Sequence, residues 1–314
     1  MKKTLLTILS LLLIVGCSQK PVDETTLIEK DGVMYLPDSD SPYSGEVFTN
    51  YSSGEKEYQG TYENGLLVSY SYLNKDGSVK EPVNMETLID RGGNLFEING
   101  QKPYTGDVFE LYDNGNRKLS GILKGGKLDK EWIEWYSNGQ MMSKKNYIDG
   151  IKNGNSVMWY ENGQKKYERT YKDGKEYGLR TSWYENGQKK SEGNYTDDNQ
   201  DGLWVFWYEN GQKKSEGSWI LGKRNGMINR WYENGQMKYE GNYKDGKEDG
   251  LFTEWYRNGQ KEYEESYKDG ERDGLRTKWY ENGQKRFEGT YKDGNKISEK
   301  CWDEDGNECE DDTW

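Results

Sequence analysis

The sequence predicts an all-β fold: an elongated single-layer antiparallel β-meander of repeated hairpins, about 24 residues per repeat. Three observations predict it. Variants of Trp183-Tyr184-Glu185-Asn186-Gly187-Gln188 return every 24 residues, with turn glycines at Gly115, Gly139, Gly163, Gly187, Gly211, Gly235, Gly259 and Gly283. A fixed period of this length marks a repeat architecture, and Asn-Gly between two polar-aromatic runs is the short-range signal for a two-residue hairpin turn. Composition completes the case. With 32% hydrophobic and 32% charged residues the chain is near a disordered polymer, but 14% aromatic residues is too many for one. Large flat side chains placed at regular intervals suit a thin sheet without a thick aliphatic core.

Residues 1–16 stand apart. Lys2 and Lys3 precede the apolar run Leu5 to Val15, which is too short to span a bilayer and has the layout of a secretory signal. The run ends in Ile14-Val15-Gly16-Cys17, which resembles the lipobox of bacterial lipoproteins. That resemblance implies cleavage before Cys17, acylation of Cys17 as a membrane anchor, and residence in the bacterial cell envelope. Ser18 in the following position is not an acidic retention signal, so in a cell with two membranes the outer one is expected. Cleavage removes two of the 44 basic residues and none of the 56 acidic ones, which deepens the formal charge of −12 by two. Such a balance excludes nucleic acid as a partner, since binding there rests on neutralised phosphates, and leaves membrane attachment to acyl chains.

Residues 17–30 are polar and aperiodic and read as a tether. Residues 31–84 form an N-terminal starter module with a partial repeat, and 85–105 a second lead-in. Ser41-Pro42-Tyr43-Ser44-Gly45-Glu46-Val47-Phe48 matches Lys102-Pro103-Tyr104-Thr105-Gly106-Asp107-Val108-Phe109. From 106 to 300 the array is nearly uniform, and all five prolines lie at or before Pro103, so none interrupts its ladders. Residues 301–314 form an acidic cap that discourages edge-to-edge pairing.

With Asn186-Gly187 as the turn, Glu185 faces Gln188, Tyr184 faces Lys189 and Gly178 faces Tyr195. Leu179, Thr181 and Trp183 then share one face with Lys190, Glu192 and Asn194, and Tyr184 shares the other with Ser191, Gly193 and Tyr195. Closing the second turn at Asp245-Gly246-Lys247-Glu248 places Tyr243 opposite Gly250 and Gly241 opposite Phe252. Both turns assign the same faces, as a correct register must. One face is Trp-centred. The other lays tyrosine over glycine, covering bare backbone.

Tyr239-x-Gly241-x-Tyr243-x-x-Gly246-x-x-x-Gly250 resembles the MORN repeat, in the variant form of bacterial proteins labelled YwqK-type antitoxins. The resemblance is strong over about residues 106–300 and weak over 41–77, and it implies the same elongated meander. Departures occur: Lys145, Arg169 and Glu265 replace the equivalent of Gly241, Asp198 that of Gly246 and Lys130 that of Gly250. Weaker Tyr–Gly packing and more local opening are expected in those units.

Catalysis is not expected. The chain has no histidine, and carboxylates spread along a ribbon lack the apolar pocket that tunes an acid/base pair. No cofactor or metal site is expected either. Counted from Asp303, the glycine of the acidic tail is at the wrong place for a calcium loop, and Trp314 occupies the position of its bidentate Glu. Cys301 and Cys309 are a candidate disulfide, slightly out of register across a turn at Asp305-Gly306. The features left for function are the aromatic ladders Trp135, Trp159, Trp183, Trp207, Trp231, Trp255 and Trp279, and Tyr136, Tyr160, Tyr184, Tyr208, Tyr232, Tyr256 and Tyr280. They serve as the packing of a thin sheet, as a stripe that contacts an extended ligand, or as both. The expected activity is a non-catalytic binding or scaffold surface for a protein or an envelope polymer. An antitoxin or immunity protein, implied by the family resemblance, and a glycan-binding wall module are the alternatives.

Overall fold

The structure is a computed structural model that describes residues 20–30 and 33–309; Cys17, the expected acylation site, and residues 1–16, the expected signal segment, lie outside the described residues. The described chain divides between Pro82 and Val83 into two compact units.

The first unit opens with Val22–Asp23, a single 3-10 turn at Glu24–Thr26, and the hairpin Ile28–Lys30 with Val33–Tyr35. Asp23 caps the turn by accepting from the Thr25 N–H at 3.0 Å. Gly45–Asn50, Lys56–Glu63 and Leu66–Tyr72 follow as an antiparallel meander, with Val22–Asp23 parallel on its outer edge. Its core holds Tyr43, Val47, Tyr58, Tyr62 and Tyr72.

The second unit begins the same way. Asn84 caps a 3-10 turn at Met85–Thr87, the hairpin Leu88–Asp90 with Leu95–Glu97 follows, and Val83–Asn84 lies parallel on Gly106–Leu111. Each lead-in therefore covers the first edge of its own sheet, which answers the exposed-edge hazard of a meander. Every further strand from Gly106 to Cys301 pairs antiparallel with its neighbour in sequence, except that Lys175–Glu176 and Gly178–Trp183 are two pieces of one strand position that both pair with Lys165–Lys172. The all-β meander of about 24-residue hairpins expected from the sequence is what forms.

Both turns close one step away from the pairing expected of them. At the Asn-Gly turn the Gly187 N–H donates to the Tyr184 carbonyl at 3.0 Å, and the Tyr184 N–H to the Gln188 carbonyl at 2.9 Å. This is a three-residue loop, so Tyr184 faces Gln188, not Lys189. Asn186 keeps a negative φ while Gly187 takes +83°, and the Asn186 side chain holds the turn by accepting the Gln188 N–H at 2.9 Å. A β-bulge then pairs Trp183 with Lys189 and restores the expected Gly178–Tyr195 pairing further along. The Asp-Gly turn is the two-residue one, because Asp245 and Gly246 both adopt positive φ, at +52° and +87°. Lys244 consequently faces Lys247 and Tyr243 faces Glu248, not Gly250; a second bulge, where Gly250 has φ +101°, recovers the Gly241–Phe252 pairing. Interior faces come out as expected because each turn's offset is absorbed by a bulge beside it.

Candidate functional site

The repeats build two chemically different faces and two stitched edges. At one edge, each Tyr of the Trp-Tyr ladder donates its hydroxyl to the Trp carbonyl one repeat on. Tyr136 reaches Trp159 at 2.8 Å, Tyr160 Trp183 at 2.9 Å, Tyr184 Trp207 at 2.8 Å, Tyr208 Trp231 at 2.8 Å, Tyr232 Trp255 at 2.7 Å and Tyr256 Trp279 at 2.8 Å. Tyr280 reaches Trp302 at 3.0 Å. The turn asparagines add a second stitch: Asn186 Nδ2 donates to the Glu209 carbonyl at 2.9 Å while its Oδ1 closes its own turn. Gly211 sits against Gln188 of the preceding repeat, where an added Cβ would stand 2.9 Å from Oε1. At φ +82° the site would strain any other residue as well. At the other edge the Gly246 N–H donates to the Arg224 carbonyl at 2.8 Å, a link repeated by Gly222, Gly270 and Gly294.

The Trp ladder is half-buried on one face. Lys165 Nζ sits 5.7 Å from the ring centre of Trp183, and the same Nζ pairs with Glu168 at 2.7 Å; Lys189 and Lys213 repeat this over Trp207 and Trp231. Beside the tryptophans runs a row the sequence reading passed over. Leu179, Leu203, Met227, Leu251 and Leu275 are exposed by 54%, 55%, 47%, 51% and 51%. The signal for them was present, as each follows the glycine of the second bulge at the repeat spacing.

The opposite face carries the tight packing; in the first unit Tyr58 lies over Gly60 as expected, but in the array the tyrosine-over-glycine expectation is corrected. Gly193 is covered by Trp204 and Gly241 by Phe252, residues of the facing strand; Trp132 does the same for Gly121. These rings fall three residues before a stripe tryptophan, an odd offset that sends them to the other face. The neighbouring tyrosines pack edge-on instead, Tyr195 on Trp204 at 5.1 Å and Tyr243 on Phe252 at 5.3 Å between ring centres. Where the glycine is replaced, ion pairs occupy the space: Lys145 pairs with Glu134 at 2.7 Å, Arg169 with Glu176, and Glu265 with Arg272 and Arg276. Burial pushes the Tyr171 hydroxyl beside Arg169 up to about 12. Desolvation, with Arg169 and Lys145 nearby, lowers the Lys152 ammonium. Asp198 and Lys130 take their glycine positions at φ +66° and +56°.

The terminal hairpin keeps the ladder geometry. Asp303 N–H donates to Asn307 at 2.9 Å and Cys309 N–H to Cys301 at 3.0 Å, so the two cysteines stand directly across from each other, not out of register. The loop has three residues, as at the other ladder turns, which removes the expected offset. Both are free thiols, and the hydrogen bond from one to the other raises the Cys309 thiol. Among the described residues no group of three or more Cys, Asp or Glu is placed to hold a metal ion.

A family model described as MORN repeat variant matches seven consecutive segments, residues 128–149, 152–173, 176–197, 200–220, 224–245, 248–269 and 272–293. No curated protein matches the chain. Among solved structures it is similar to those described as crystal structures of TcdB2-TccC3, TcdB2-TccC3-Cdc42 and TcdB2-TccC3-TEV, at 9%, 12% and 10% identity with TM-scores of 0.19, 0.18 and 0.15. The similarity covers 85%, 87% and 85% of this chain and 20%, 18% and 21% of those chains.

Proposed function

With seven consecutive copies of the MORN repeat variant, the chain is a MORN-variant repeat protein, and from that premise we propose that it is a non-catalytic docking protein of the bacterial cell envelope. Acylated Cys17 tethers it to the membrane, and the ribbon presents its tryptophan face to another protein or an envelope polymer. One observation carries this reading: the row Leu179, Leu203, Met227, Leu251 and Leu275, each about half exposed. Two strands per repeat space these side chains about 10 Å apart, and a row of exposed apolar groups at even intervals is costly in water unless something covers it. The tryptophans beside it are half-covered by paired lysines, a polar rim of the kind that borders binding surfaces. The lipobox-like Ile14-Val15-Gly16-Cys17 supports the anchor, and the absence of histidine from the chain supports a role without acid/base chemistry.

Full-length protein, purified from labelled cells, tests the anchor by incorporation of a palmitate analogue that Cys17→Ser abolishes. Capture from detergent-solubilised envelope tests the surface. A partner or polymer enriched by the native chain and lost with Leu203→Asp and Leu251→Asp together is the expected result. No enrichment, or enrichment indifferent to those substitutions, would sink the reading.

A further inference from the structure

Charge is handled differently on the two faces. On the tryptophan face the lysines pair with glutamates three residues on, Lys165 with Glu168 at 2.7 Å and Lys189 with Glu192 at 2.6 Å. On the opposite face carboxylates are gripped by paired guanidiniums. Glu176 lies between Arg169 and Arg180, with the Tyr171 hydroxyl donating to it at 3.4 Å. Glu265, 4% exposed, lies between Arg272 and Arg276, with the Tyr267 hydroxyl donating to it at 2.9 Å. A carboxylate can be desolvated this far only when guanidiniums and hydroxyls replace its water.

The repeat between them keeps one of these cations without the acid, and Ile228 stands where Arg276 would be. Arg224 is the equivalent of Arg272 two periods earlier, but Gly217 stands where Glu265 would be. Arg224 rests 5.2 Å from the Tyr243 ring centre and donates to its hydroxyl at 3.5 Å; that hydroxyl is 2.9 Å from the Tyr239 hydroxyl. Arg230 lies over Tyr239 at 4.8 Å. Neither guanidinium forms an ion pair with a carboxylate among the described residues. Ile228, buried to 3% exposure, separates them on their strand.

We propose that this face binds an acidic polypeptide, taking one of its carboxylates at Arg224 with Tyr243 and a second at Arg230. The site lies on the face opposite the leucine row and stands independently of the docking role given to that row. The ligand chemistry follows from the two grips already filled on this face, where the group held is a carboxylate. A polypeptide, with acids set apart along its length, can seat two carboxylates at guanidiniums linked through the tyrosine pair, Arg224 at 3.5 Å from the Tyr243 hydroxyl, the two hydroxyls 2.9 Å apart and Arg230 4.8 Å from the Tyr239 ring centre.

Fluorescence anisotropy of labelled poly-L-glutamate with the full-length chain in detergent tests the assignment. Binding should weaken with salt. Its Kd should rise about tenfold or more with Arg224→Gln and Arg230→Gln together, the loss of about 1.4 kcal/mol of charge-assisted contact. The Arg224→Lys and Arg230→Lys pair should retain part of the affinity if the fold is intact, and Val68→Ser, exposed in the first unit, should retain all of it. Failure to bind polyglutamate would overturn the proposal, as would equal binding by the glutamine pair with unchanged circular dichroism. Tighter binding of inorganic polyphosphate or phosphatidylglycerol vesicles, lost with the same substitutions, would also overturn it.

Discussion

Gly241→Ala tests how the sheet is packed. A Cβ at Gly241 would stand 2.9 Å from Phe252 Cγ and closer still to Cδ1 and Cε1, where carbon atoms want about 3.5–4.0 Å. The ring would have to retreat by about 1 Å. Phe252 is 3% exposed, with Tyr243, Tyr239 and Tyr267 packed on it at 5.3, 6.0 and 5.1 Å between ring centres, so it has nowhere to go. Such overpacking costs roughly 1–3 kcal/mol. Against it, alanine removes unfolded-state freedom and returns about 0.4–1 kcal/mol, since Gly241 has no positive φ to preserve. The net expectation is a loss of roughly 1–2 kcal/mol. Hydrogen exchange is the suitable assay, because stability in an array is a sum of local and nearest-neighbour contributions. Amides of Met237–Lys244 and Lys247–Trp255 should lose protection while those near Lys165–Lys172 keep theirs. Adding Phe252→Leu, which thins the covering side chain, should reduce the penalty of the alanine and give a favourable coupling of about 0.5 kcal/mol or more. An alanine variant as stable as the native chain, or more stable, would refute ring-on-backbone packing as the support of this sheet.

Other expectations follow from the edges and the charges. Tyr184→Phe removes the 2.8 Å hydrogen bond to the Trp207 carbonyl and should cost about 0.5–1.5 kcal/mol, seen as faster exchange around Trp207–Gly211; unchanged exchange there would mean that the tyrosine stitch contributes nothing. Asp129 is buried and its carboxyl is raised by desolvation. A carboxyl raised in the fold favours folding while protonated and loses that contribution as pH rises through its folded pKa. Asp129→Asn should therefore raise the unfolding midpoint at neutral pH, with the gain vanishing below the carboxylate range; Asn153 and Asn225 already hold the equivalent place in sister repeats. A gain that is the same at all pH values would contradict a titrating origin. Cys301 and Cys309, opposed across the terminal hairpin, should oxidise to an intramolecular disulfide in air. Intact-mass measurement of the non-reduced chain should show two hydrogens lost, and two alkylatable thiols in that sample would reject it.

Periodicity made the architecture legible. A 24-residue recurrence of Trp-Tyr-Glu-Asn-Gly-Gln leaves little choice but one hairpin per unit, because side-chain alternation allows a single register that keeps glycine and aromatic residues on a common face. The loop lengths were harder to read, since Asn-Gly and Asp-Gly both permit either loop. The choice fell to neighbouring strands, where Asn186 gains one bond within its turn and another to the next repeat only in the three-residue form. Which ring covers which glycine was likewise settled across strands. Phe252 and Trp204 look like incidental apolar residues along the chain and become the packing centre once a facing strand brings Gly241 and Gly193 beneath them.

Composition and spacing alone thus specified a repetitive aromatic sheet with an acidic charge. Tertiary pairing decided how its charges divide. Whether Arg224 meets a carboxylate depends on Gly217, a residue on the adjacent strand, and contacts between strands obey register and bulges that local sequence does not encode.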